Sequence, residues 1–358
     1  MNVERAGRVL ASAVAGRVFP AAAIEAGGAG GPVWSHAVGR LTYADDAPPA
    51  TAETVFDLAS LTKVIATATV AMNLVDLSRL DLDDPIRRWL PEWSGAGRDG
   101  ATVRDLFEHC SGLPAWRALY QTCEGRSEFV AEICRLELAY PRRAESVYSD
   151  LGFILLGVAL ERAGGGSLDE LFAAAIRPSL GEAAALPLLY RPTRRVRHRC
   201  APTGLDQWRG RLLQGEVHDQ NAWALGGVAG HAGLFGTAAA VGAFARAVLR
   251  TLAANAPDAL QLASPSIVRR FVTPSDVAGS SRALAWDTMR PTSSCGTRMS
   301  SEAIGHTGFT GTSLWIDPAS DSYVVLLTNR VHPAPAADRP IQDVRRAVHD
   351  ALMEPTPA

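Results

Sequence analysis

Runs that read as β-strands stand at both ends of this chain while helical patterns fill its middle, and that order leaves few folds open. Near the N-terminus, AAAIEAG (21–27) and VWSHAVGRL (33–41) are short apolar runs joined by GAGGP, the composition of a β-hairpin. Near the C-terminus, RALAWDT (282–288), GTSLWIDP (311–318) and SYVVLLTNR (322–330) are β-rich, and turn residues 319–321 join the last two. Between them the apolar spacing predicts helices over about 60–77, 102–110, 127–138, 151–163 and 238–253, with a further helix at each extreme. Strands need hydrogen-bonded neighbours, so the two ends are expected to meet in one sheet with the helical segment inserted. The expected class is α+β, an antiparallel sheet from the N- and C-terminal segments flanked by helices and carrying an all-α lobe. Residues 1–68 and 280–358 are assigned to the sheet lobe and 69–279 to the helical lobe. A chain of 358 residues suits two such intimately packed lobes.

Composition removes several function classes. The net charge of −2 offers no field for nucleic acid or an anionic membrane. The run Arg194, Arg195, Arg197, Arg199 is the one local exception, and reads as a solvated loop rather than an anion site. Five cysteines, an odd number without C-x-x-C spacing or a neighbouring His pattern, suit a reduced, metal-free compartment. No apolar run reaches the ~20 residues of a membrane span. At the N-terminus Leu10, Val14 and Val18 recur at helical spacing and Arg17 closes the apolar patch, which favours an amphipathic helix over a signal peptide and a cytoplasmic location.

The most informative single count is lysine. Of 35 Lys and Arg residues only Lys63 is lysine, and it follows Ser60 by three positions in SLTK. On a helix such residues are surface neighbours, about 5–6 Å apart at Cβ, so Ser60 Oγ and Lys63 Nζ can meet. A hydroxyl becomes a useful nucleophile when a base takes its proton. Burial and a helix N-terminus are expected to push this ammonium toward the neutral amine that could serve, whereas arginine stays protonated. Alone, S-x-x-K also arises by chance on amphipathic helices.

Two other short stretches carry chemistry or a simpler role. Tyr148 opens YSD just before a helical run; its hydroxyl both donates and accepts, which suits a proton relay, and it equally suits a structural tyrosine. Asp150 can orient Lys63 by a charge-assisted bond or cap the helix. In GHTGFTG (305–311) glycines allow close backbone approach, so the N–H of Phe309 after Gly308 can pair with that of Ser60 as an oxyanion hole; otherwise this is a glycine-rich strand entry with an ordinary histidine. His218, Asp219 and His231 could suggest a metal site, but no H-E-x-x-H or equivalent spacing supports it. There is no G-x-S-x-G elbow, and a P-loop would need a second lysine.

The order S-x-x-K, Y-S-[ND], [KH]-T-G in a strand–helix–strand chain resembles the serine hydrolase superfamily of class C β-lactamases, D-alanyl-D-alanine carboxypeptidases and family VIII carboxylesterases. LFEHCSGLP (106–114) resembles that family's L-L-x-H-x-S-G-L-P, and GHAGLFGTA (230–238) a segment of a β-lactamase-related branch. The similarity covers roughly 19–332. It implies a β-lactamase/transpeptidase-like fold with the active site between the lobes, Ser60 as nucleophile, Lys63 as base and Tyr148 as proton shuttle to the leaving group. The Ser60 and Phe309 amides would hold the oxyanion, with His306, Thr307, Gly308 and Asp150 toward the substrate. Asp150 stands where the well-studied relatives have Asn, and His306 replaces the lysine of K-T-G. The expected substrate is a small-molecule ester or amide, most simply a carboxylic ester, with no cofactor, nucleic acid or membrane partner. Rival readings are a D-alanyl-D-alanine carboxypeptidase, a class C-like β-lactamase, an acyltransferase, or a catalytically silent binding protein.

Overall fold

The structure is a computed structural model, which describes residues 1–253, 260–334 and 339–354. Its strands are β1 (Ala21–Gly28), β2 (Gly31–Gly39), β3 (Phe56–Asp57), β4 (Leu188–Tyr190), β5 (Leu205–Asp206), β6 (Arg211–Leu212), β7 (Leu234–Gly236), β8 (Asp287–Thr288), β9 (Ile304–Thr307), β10 (Ser313–Asp317) and β11 (Ser322–Thr328). The main sheet has the order β2-β1-β11-β10-β9-β8 with antiparallel neighbours, so the chain's two ends do meet in one sheet. β1 pairs with β11 from Ala22 opposite Thr328 to Gly27 opposite Tyr323.

Side chains on a strand alternate between faces, and here both faces are covered, which is why β11 is apolar almost throughout. Ala23, Tyr323, Val325 and Leu327 enter the large core shared with the helical segment. Their neighbours Ala22, Ile24, Val324 and Leu326 enter a second core under the terminal helices Val3–Ala15 and Arg339–Leu352. Helix Ala238–Leu252 lies on the first face against β1 and β11. Burying one such apolar side chain contributes about 1.5–3 kcal/mol, and this sheet buries two layers of them.

Helix Asp150–Gly164 runs through the large core and is apolar nearly all round. Ser149 caps it by accepting from Gly152 N at 3.2 Å, and Gly165 ends it in the left-handed region at φ 74°. The Thr102 start is a capping box with Asp105, and the helix there is only Val103–Phe107. Of the run 282–288, only Asp287–Thr288 pairs as a strand; the rest turns, with Ala285 at φ 74°. Helix Leu168–Leu180 and the small sheet β3-β7-β4 had no expected counterpart. All five cysteines are buried and unpaired. Among the described residues no single helix is long and apolar enough to cross a membrane.

Candidate active site

The segment carrying Ser60 is shaped by one buried carboxylate. β3 ends at Asp57, which accepts Ala59 N at 2.9 Å and His218 N at 2.7 Å. Ala59 is thereby held at φ 48°, a conformation that costs a non-glycine residue of order 1–3 kcal/mol. The chain then winds tightly, Lys63 N donating to Ser60 O at 3.1 Å, and widens into a π-turn over Lys63–Thr67 before helix Ala68–Asp76. Such π-turns recur at functional positions. The result places Lys63 Nζ 3.2 Å from Ser60 Oγ.

Lys63 is fully buried, and its Nζ also donates to Asp150 Oδ1 at 2.7 Å and to the carbonyl of His231 at 3.2 Å. Burial works to lower its pKa, but the Asp150 carboxylate and then Tyr148 outweigh it, and the net direction is upward. The expectation of a neutral amine is therefore corrected. Desolvation acts as anticipated, but a carboxylate from a distant segment reverses the outcome, and Lys63 rests as an ammonium. Asp150 is accordingly an ion-pair partner, and the capping role belongs to Ser149.

Tyr148 turns its hydroxyl toward both Ser60 and Lys63. Its pKa is raised, chiefly by burial and against the pull of Lys63, so it rests as a phenol able to donate. Its ring lies between His109, at 4.8 Å, and His306, at 5.8 Å, with the Arg282 guanidinium 5.0 Å from its centre. His109 fixes the Tyr148 loop from two sides. Its carbonyl accepts Val147 N at 3.0 Å and Tyr140 Oη at 2.9 Å, and its Nδ1 accepts Ser149 N at 2.9 Å. Burial, then Arg282 and Lys63, hold His109 well below the ordinary histidine range.

The opposite wall is the turn after β9. Thr310 Oγ1 donates to Asp57 O at 2.8 Å and Thr312 Oγ1 to Leu58 O at 3.0 Å, which fastens this turn to the approach to Ser60. Arg345 reaches in from the C-terminal helix to Gly308 O at 3.1 Å and Thr312 O at 2.7 Å. A Cβ on Gly308 would stand 2.7 Å from Leu58 O, so only glycine fits this approach. The N–H groups of Ser60 and Phe309 have no acceptor among the described residues. His306 is buried, donates from Nδ1 to Thr307 O at 2.7 Å, and is driven well below its usual pKa by burial, then Arg282 and Lys63. Its imidazole is thereby kept neutral.

Together these residues line a cleft of about 650 Å³. Ser60, Tyr148, Asp150, His306, Thr307, Gly308 and Phe309 all reach it, while Lys63 lies beneath its floor. Asp219 and His231 also face it. They pair with each other at 2.9 Å, which, against burial, holds Asp219 down to about 2. The Arg194 run forms a short exposed helix and does not line the cleft. Sequence reasoning missed Asp57, Arg282, Asp287 and Arg345. Arg282 and Asp287 form an ion pair at the cleft wall, but in sequence they sit in a run that reads as a plain strand. His109 stood inside the quoted H-x-S-G-L-P stretch, its supporting role unread.

A family model described as Beta-lactamase matches residues 7–348. The chain is 31% identical over 325 residues to "Putative D-alanyl-D-alanine carboxypeptidase" of Escherichia coli (strain K12), covering 81% of this chain and 72% of that protein. It is 30% identical over 308 residues to "N-acetylmuramyl-L-alanine amidase" of Bacillus subtilis (strain 168), covering 78% and 68%. In fold it resembles the solved structure "EstCE1, a hydrolase with promiscuous acyltransferase activity", with a TM-score of 0.76 at 21% identity, covering 97% of this chain and 98% of that one.

Proposed function

This chain belongs to the β-lactamase family, and from that premise we propose that it is a serine hydrolase that forms an acyl-enzyme on Ser60 and hydrolyses carboxylic esters. The observation that carries this reading is the contact of Ser60 Oγ with Lys63 Nζ at 3.2 Å beneath an open cleft, beside two N–H groups without acceptors. In the proposed reaction Ser60 Oγ attacks the carbonyl carbon and the Ser60 and Phe309 N–H groups hold the oxyanion. Tyr148 delivers a proton to the leaving oxygen, and water then releases the acyl group by the same path in reverse.

The preference for a neutral ester rests on charge. His306 is neutral, Lys63 is tied to Asp150, Arg282 to Asp287, and Arg345 spends hydrogen bonds on two carbonyls. A substrate carboxylate would compete with one of these partners or turn to Arg330, which also lines the cleft with its guanidinium 5.2 Å from the centre of the Phe309 ring. The second reading, a D-alanyl-D-alanine carboxypeptidase, draws support from Arg282 at the cleft wall and from the name of the Escherichia coli relative. A panel of p-nitrophenyl esters, D-Ala-D-Ala peptides and β-lactams, with Ser60→Ala as blank, tests both. The expected result is higher kcat/KM on short neutral esters than on any peptide or β-lactam. A preference for the peptide gives the second reading, and the absence of any fluorophosphonate adduct on Ser60 gives a silent binding protein.

A further inference from the structure

The three contacts of Lys63 create a proton-counting problem. An ammonium has three N–H bonds and no lone pair, and Nζ has three neighbours within 3.2 Å: Ser60 Oγ, Asp150 Oδ1 and His231 O. In that state Lys63 takes a proton from Ser60 only as it gives one away. The His231 carbonyl cannot keep a proton, and Tyr148 already holds its own. Asp150, at 2.7 Å and with 21% of its side chain exposed to the cleft, is the neighbour with room for one.

We propose that Asp150 is the proton acceptor that makes Lys63 a base: as Ser60 Oγ bonds to the substrate carbonyl carbon, its proton passes to Lys63 Nζ while another Nζ proton passes to Asp150 Oδ1. This rests on the reading of Ser60 as nucleophile. Protons balance at each stage. The resting site holds a hydroxyl, an ammonium and a carboxylate; the tetrahedral stage holds an ether oxygen, an ammonium, a carboxylic acid and the substrate oxyanion. As the carbon–oxygen bond to the leaving group breaks, the proton returns from Asp150 through Lys63 and Tyr148, and an alcohol departs. Asparagine at this position could accept a bond from Lys63 but could not hold its proton, so the exchange of Asn for Asp alters the starting state as well as a contact.

The other charged or titratable groups around this triad are His109 and Tyr148 on its own side, His306 and Arg282 on the facing wall, and the Asp219–His231 pair below. Asp150 carries the only carboxylate bonded to Nζ among the described residues.

The test is the pH profile of burst acylation by a p-nitrophenyl ester in the parent, Asp150→Asn and Asp150→Glu, with intact mass reading the adduct on Ser60. In the parent the proton passes to Asp150 while Lys63 is still an ammonium, so the burst at pH 7.5 already stands on the plateau of the profile. In Asp150→Asn, Lys63 has no acceptor for its proton and the exchange is broken, so the rate at pH 7.5 falls about 10²–10³-fold and recovers only as pH rises far enough for Lys63 to lose its own proton. Asp150→Glu keeps the parent's plateau at pH 7.5. If Asp150→Asn or Asp150→Glu lowers the rate equally at all pH values, Asp150 only orients Lys63 and the relay is overturned. If the parent itself gives no burst and no adduct, the proposed function fails and the relay with it.

Discussion

Replacing Gly308 with alanine tests the proposed oxyanion hole without touching a titratable group. A Cβ there would lie 2.1 Å from Thr312 Oγ1, 2.7 Å from Leu58 O and 3.2 Å from Ala59 Cβ. The threonine hydroxyl can rotate away at the expense of its bond to Leu58 O. The Leu58 carbonyl is backbone and cannot. Carbon-to-oxygen contacts settle at about 3.3 Å or more, so the turn and the Ser60 approach must part by roughly 0.6 Å. That movement opens the gap between the Ser60 and Phe309 N–H groups, which have to sit within about 2.7–3.1 Å of the developing oxyanion. Losing one such donor costs about 10²–10³ in kcat, or about 2.7–4 kcal/mol, whereas the crowding itself costs about 1–3 kcal/mol of stability. Single-turnover acylation by a p-nitrophenyl ester, with a thermal melt on the same sample, separates the two. The expected result is a folded protein with a modestly lowered Tm and a kcat down at least a hundredfold with KM little changed. A folded Gly308→Ala with kcat within threefold of the parent would refute the placement of the oxyanion hole.

Lys63→Arg keeps the charge opposite Asp150 but cannot pass a proton at ordinary pH; burst acylation is expected to fall beyond detection, and a rate within tenfold of the parent would remove Lys63 from the proton path. Tyr148→Phe keeps the ring against His109 and His306, so Tm should hold while turnover drops on the order of 10²–10⁴; a large Tm shift with normal turnover would mark Tyr148 as structural. His306→Lys is expected to improve carboxylate-bearing substrates relative to neutral esters, chiefly through KM, and an unchanged ester-to-β-lactam ratio counts against the charge argument. Stability should fall with acid. His109, His306 and His349 are fully buried and depressed, His349 to about 3, so the unfolded chain binds protons below about 6.5 that the folded one refuses. The stabilisation is complete above that value and is lost as pH drops through the window between it and the folded pKa, at up to about 1.4 kcal/mol per pH unit for each histidine. Urea midpoints at pH 7.5 and 5.5 should show it, and a midpoint that rises on acidification would contradict it.

What could be read from the sequence was whatever depends on spacing along one element. The interval from Ser60 to Lys63, the hairpin at 21–41 and the two strands before the final helix are local patterns, and each has its counterpart in the structure. The charge state of Lys63 was misread because its governing partner, Asp150, is remote in sequence and meets it only through the buried helix that follows. Arg282 was invisible as a cleft residue for the same reason. Strands β3, β4 and β7, of two or three residues each, are too short to leave a periodicity, yet they hold the approach to Ser60. The run 282–288 misled because its alanines and tryptophan serve the large core from turns as well as they would from a strand.

The pairing of β1 with β11 also bears on how the protein is made. On the ribosome β1 emerges with β2 as its neighbour, and its other edge waits for a strand that follows the whole helical segment. Long-range closures of this kind are slow and leave an apolar edge open to wrong partners in the meantime. Ser60, Lys63 and Tyr148 are all translated before the turn at Gly308 and before Arg345, which pins that turn from the final helix. A nascent or truncated chain therefore carries the proposed nucleophile without the wall it faces, and helix Arg339–Leu352 is the element that fastens that wall in place.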